Sequence, residues 1–106
     1  MNGLKRNTAK LFNDRSKLFL LAMDHSQGGV VKGLEKPGLL LESLSSSPID
    51  GFILNVGLAD KMSHGKLLNK KLILRTSFGG SMVSTGYTNV HSNHVSPETA
   101  LRLGAD

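Results

Sequence analysis

The chain has 106 residues, enough for one domain with one modest core. Hydrophobic residues make up 39% and charged residues 20%, which excludes a disordered chain, and the absence of cysteine excludes disulfides and thiolate metal sites. The formal net charge of +5 suits an anionic partner, but the lysines are scattered and the chain has one Tyr and no Trp. Stacking platforms are therefore scarce and no nucleic-acid partner is expected.

Residues 4–12, LKRNTAKLF, read as a short helix with Leu4, Leu11 and Phe12 on one side. NDRS at 13–16 is a turn. KLFLLAM at 17–23 is a near-continuous apolar run of strand length, the pattern of a strand buried on both faces. At six residues LFLLAM is far too short to span a membrane, which takes about 20 apolar residues. An acid and a histidine follow it where a signal peptide would place small residues. No export, no membrane partner and a cytoplasmic location are expected.

A loop over 24–36 leads to Pro37, suited to the first turn of a helix that GLLLESLSS at 38–46 continues. GFILNV at 51–56 is a second buried strand. GLADKMSHGKLL at 57–68 is mixed, and Gly65 weakens a helix there. KLILRTS at 71–77 is a third strand, and a polar loop is expected over 78–95. Ser96 as cap and Pro97 at the first position start a last helix, which ends at Gly104.

Alternating strands and helices imply a parallel sheet, and functional residues in such sheets gather at the carboxyl ends of the strands. Those ends read Asp24-His25-Ser26, Asn55-Val56-Gly57 and Arg75-Thr76-Ser77-Phe78-Gly79-Gly80, all polar or glycine-rich. Asp50 introduces a strand, and Asp106 stands where another should start. This predicts the front of a longer βα-repeat protein that stops before a fourth strand, with a complete three-stranded α/β domain as the alternative.

LFLLAMDHSQGG followed by GLEKP resembles the opening of archaeal-type class I fructose-bisphosphate aldolases, within the deoxyribose-phosphate aldolase superfamily of (β/α)8 TIM barrels. DGFILNVGLA, KLILRTSFGGS and SPETALRLGAD resemble, in order, the second strand, the third strand and the helix before the fourth. The resemblance implies that residues 1–106 are the N-terminal portion of one barrel domain, about its first three βα units. It implies a Schiff-base aldolase acting on a phosphorylated keto-sugar such as fructose 1,6-bisphosphate, with no cofactor and a homo-oligomeric assembly. In that family a sixth-strand lysine attacks the ketone, a fifth-strand tyrosine donates a proton, and amides after strands seven and eight hold the phosphate. All of these fall beyond residue 106, so the chain alone is expected to be inactive. The carboxylate beside the substrate hydroxyls carries over to Asp24. Ser26 departs from the family, which usually has Gly there. A non-catalytic sugar-phosphate-binding module or pseudoenzyme is the competing reading.

Each candidate has a bland alternative. Asp24 is a catalytic or substrate-binding carboxylate, or else a helix cap or solvated strand end. His25 alternates in direction with Asp24 and suits a supporting or substrate-binding role better than that of a base. Asn55 lines the rim or closes its strand. Ser77 and Gly79 are candidate substrate contacts in a turn that includes Gly80 and Ser81, and Gln27, Gly28 and Gly29 make a weak phosphate-loop candidate. Arg75 could meet an anion or stand in solvent. His91 and His94 have a metal-like spacing and His64 could join them, but no acidic ligand lies nearby, and surface histidines without metal are expected. Lys32 and Lys36 read as loop lysines rather than Schiff-base nucleophiles.

Overall fold

The computed structural model describes residues 2–13, 15–25, 32–78 and 92–106. Helix α1 (Asn2–Phe12) ends where Asn13 takes φ +49 and donates its N–H to the Ala9 carbonyl. Strand β1 (Leu20–Ala22), helix α2 (Pro37–Leu44), strand β2 (Gly51–Asn55) and strand β3 (Lys71–Arg75) follow. Two 3-10 segments, Val56–Ser63 and Gly65–Asn69, link β2 to β3. Short strands β4 (Ser77–Phe78) and β5 (Ser92–Asn93) come next, then helix α3 (Pro97–Arg102). Among the described residues no helix is long and apolar enough to cross a membrane.

The sheet is parallel, in the order β1-β2-β3, with β2 in the middle. Its register aligns Leu20, Gly51 and Lys71 in one row and Ala22, Ile53 and Ile73 in the next. Residues alternate between the two faces of the sheet. On one face Met23, Phe52, Leu54 and Leu72 are buried against Leu41 of α2 and against Ala59, Met62 and Leu67 of the 3-10 segments. On the other face, Gly51 is the one buried residue, while Ile53 and Ile73 are half-buried and Ala22 is exposed. Among the described residues, the helical layer thus lies on one side of the sheet, and the other side carries apolar residues without comparable cover.

Gly51 belongs to the close approach of β2 and β3. A Cβ there would lie 2.4 Å from the Lys71 carbonyl oxygen, so no side chain fits without moving the backbone. Just before it, Asp50 clamps the start of β1. Its N–H donates to the Phe19 carbonyl at 2.9 Å and its carboxylate accepts the Phe19 N–H at 2.7 Å. Arg15 adds a guanidinium hydrogen bond to the same carboxylate. The Phe19 N–H is the main cause of an Asp50 pKa below the ordinary carboxylate value; burial opposes it, while the Arg15 hydrogen bond and the charges of Arg15 and Lys70 reinforce it. Asp106 repeats the motif on β3, donating its N–H to the Leu72 carbonyl at 2.8 Å and accepting the Leu72 N–H at 2.9 Å.

Several expected boundaries change. The run at 17–23 yields only Leu20–Ala22 as strand, because Phe19, 58% exposed, is paired through Asp50 rather than through a ladder. The helix expected to reach residue 46 ends at Leu44, where the Ser45 N–H turns to the Glu42 carbonyl. The mixed segment after β2 is 3-10 rather than α, broken at His64 with Gly65 at φ +54. The third strand stops at Arg75 rather than 77. Ser77 and Phe78 instead pair antiparallel with Asn93 and Ser92, which corrects the expectation of a plain loop over 78–95. The last helix keeps its expected start, where the Ser96 hydroxyl accepts the Thr99 N–H at 3.1 Å, and Gly104 follows it at φ +87.

Candidate functional site

The β1 ladder continues past Ala22, since the Met23 N–H donates to the Ile53 carbonyl at 2.8 Å. Carrying the register to the next residue sets Asp24 level with Asn55, and Asn55 is paired in register with Arg75. All three belong to the face opposite the helices, in the row at the carboxyl ends of the strands. The sequence produces this by parity: Asp24 stands two residues after Ala22, Asn55 two after Ile53, and Arg75 two after Ile73.

The row is bonded together. Arg75 Nη1 donates to Asp24 Oδ2 at 2.9 Å, reaching across β2 to do so. Arg75 Nε donates to the Ser77 carbonyl at 3.0 Å. Asn55 Nδ2 donates to the Asp24 carbonyl oxygen at 3.4 Å. The Asp24 side chain is 16% exposed and that of Arg75 30%, so the pair is partly withdrawn from water. Such an ion pair resists screening better than one on an open surface. Among the described residues, Asp24 Oδ1 has no hydrogen-bond partner. The arrangement presents one carboxylate oxygen at the rim, with its other oxygen and its backbone tied to neighbouring strands. That suits binding a hydroxyl or taking its proton.

The remaining candidates fall as follows. His25 is exposed and follows Asp24 out of the row. Ser77 enters the site through its carbonyl, as the second anchor of Arg75, and is held in turn by pairing with Asn93. Gly79, along with Ser26, Gln27, Gly28, Gly29, Gly80, Ser81 and His91, lies outside the described residues. Lys32, Lys36, His64 and His94 are all exposed. Among the described residues no cluster of three or more His, Asp or Glu could hold a metal ion. Of the two surroundings the sequence allows for Arg75, an anion or solvent, the structure has the anion, which is Asp24. The register of the apolar runs was the signal that could have shown this, because it puts residues 24, 55 and 75 in one row. A separate apolar groove of about 700 Å³, between Leu39 of α2 and Leu58 and Leu67 of the 3-10 segments, lies on the helical side of the sheet and shares none of these three residues.

No family model and no curated protein matches the chain. Two solved structures do. One, described as a Schiff-base-forming fructose-1,6-bisphosphate aldolase, is similar over 96% of this chain and 41% of its own, with 25% identity and a TM-score of 0.71. The other, an archaeal fructose 1,6-bisphosphate aldolase, is similar over 96% of this chain and 41% of its own, with 26% identity and a TM-score of 0.70. The chain therefore spans about two fifths of the length of these aldolases. The resemblance read from the sequence is seen in the fold, which is α/β with an unclosed three-stranded parallel sheet corresponding to part of the aldolase barrel.

Proposed function

We propose that residues 1–106 are the N-terminal portion of a class I, Schiff-base aldolase barrel, and that Asp24 is its first-strand catalytic carboxylate. The substrate class is a phosphorylated keto-sugar, of which fructose 1,6-bisphosphate is the type. The observation that carries the reading is the Asp24-Asn55-Arg75 row at the carboxyl ends of three parallel strands, where barrel enzymes hold their chemistry. The similarity to Schiff-base aldolases over 96% of the chain supports the reaction class. The half-buried Ile53 and Ile73 on the face away from α2 support the barrel, because barrel strands carry layers of inward side chains that closure buries. Asp106 supports the same view, since it meets β3 as Asp50 meets β1.

In this reading the keto-sugar enters as a Schiff base on a lysine beyond residue 106. Breaking the carbon–carbon bond requires a proton to leave the neighbouring hydroxyl. Asp24, with Oδ2 on Arg75, presents Oδ1 to that hydroxyl, binds it and accepts its proton. In the full product of the reading frame, Asp24→Ala should lower turnover at least ~10-fold, at the low end for a positioned acid–base group. Unchanged cleavage kinetics would return Asp24 to a structural role. Sugar-phosphate binding without cleavage in the unaltered protein would favour a non-catalytic module.

A further inference from the structure

We propose that Arg75 is a positioning residue that fixes the rotamer of the Asp24 carboxylate and so decides which of its oxygens faces the substrate. The proposal rests on the reading of Asp24 as the catalytic carboxylate. Asp24 lies two residues past Ala22, the last residue of β1, so its side chain is fixed by its own partners and not by a strand ladder at that residue. The Asn55 amide donates to the Asp24 backbone carbonyl, at a long 3.4 Å. Among the described residues, the side chain that bonds the carboxylate is Arg75, two strands away, a separation of roughly 10 Å at ordinary strand spacing. Only a long side chain crosses that distance.

The arginine is itself fixed at two points. Nη1 is on Asp24 Oδ2 at 2.9 Å and Nε is on the Ser77 carbonyl at 3.0 Å. Two directed bonds from one planar fork set the guanidinium plane, which a single ammonium cannot do. Ser77 is set in turn by its pairing with Asn93, so β4 and β5 act as a brace behind the arginine. The chain of support runs from β5 to β4, to Arg75, to Asp24. With Oδ2 on Arg75, Oδ1 is the oxygen without a partner among the described residues, and it is the one that faces the substrate. Without Arg75, a carboxylate only 16% exposed loses its counter-charge and can rotate.

The test uses the full product of the reading frame, fructose 1,6-bisphosphate as substrate, and Arg75→Met, which keeps the length and removes charge and donors. Arg75→Gln serves the same comparison should Arg75→Met not fold. The expected result is a kcat lower by ~10- to 100-fold, the cost of a misplaced catalytic group, with KM within about twofold. Arg75→Lys should recover part of that loss. In an Asp24→Asn background, Arg75→Met should cost no further kcat, because the arginine acts only through the carboxylate. Independent, multiplicative losses, or a change confined to KM, would overturn the proposal. If the unaltered protein forms a borohydride-trapped adduct and Arg75→Met cleaves at its rate, Arg75 has no such role. If the unaltered protein forms no adduct at all, the aldolase reading fails and this role fails with it.

Discussion

Leu54 and Ile53 are neighbours in the central strand, and truncating each to alanine should cost very different amounts. Leu54 is fully buried against α2 and the 3-10 segments. Leu54→Ala removes a packed side chain and leaves a cavity, so about 2–5 kcal/mol should be lost. Ile53 is half-buried on the face that carries no helical layer among the described residues. Its truncation forfeits about half of the ~1.5–3 kcal/mol for fully burying such a side chain, with no enclosed cavity, so roughly 1 kcal/mol is expected. Alanine's poorer strand propensity falls on both sites and does not separate them. Urea unfolding of the 106-residue chain reads the difference as a larger midpoint shift for Leu54→Ala at unchanged slope. Equal shifts, or a larger one for Ile53→Ala, would refute the assignment of the two faces. In the full product of the reading frame, the cost of Ile53→Ala should rise toward that of Leu54→Ala, since barrel closure would bury its layer.

Three further outcomes follow from individual contacts. Gly51→Ala should cost ~1–3 kcal/mol by overpacking against the Lys71 carbonyl, read as a lower urea midpoint; a neutral result would contradict the close approach. Asp50 has a folded-state pKa below its unfolded one, so its contribution is present at neutral pH and is lost as pH falls below about 4. Asp50→Asn should therefore flatten the acid limb of the stability profile, and superimposable profiles would rule this linkage out. Ser96→Ala removes the acceptor for the Thr99 N–H and should cost ~1 kcal/mol locally, seen as faster amide exchange in α3; unchanged exchange would show that the cap holds nothing.

What the sequence made legible was what neighbouring residues decide among themselves. GFILN and KLILR each hold three consecutive apolar residues ending in a polar one, and they became the two full strands. Ser96-Pro97 and Gly104 marked the last helix because capping is local chemistry. Polar strand ends pointed to the rim, and Asp24 and Asn55 meet there. What stayed illegible depends on partners far along the chain. The apolar run at 17–23 signals burial, but strand length is set by what pairs alongside, and Asp50 replaces the ladder at Phe19. Strands β4 and β5 are two residues each and too short to show a period. The Asp24–Arg75 pair joins residues 51 positions apart, so only strand register reveals it.

Borohydride trapping tests the central claim most directly. The full product of the reading frame is mixed with fructose 1,6-bisphosphate, reduced, and weighed by intact-mass spectrometry, with peptide mapping of any adduct. The account predicts one covalent sugar-phosphate adduct per chain, on a lysine beyond Asp106, and none when residues 1–106 are treated alone. A protein that cleaves the sugar without forming an adduct, and loses that activity to a chelator, would contradict it and require metal-dependent chemistry instead.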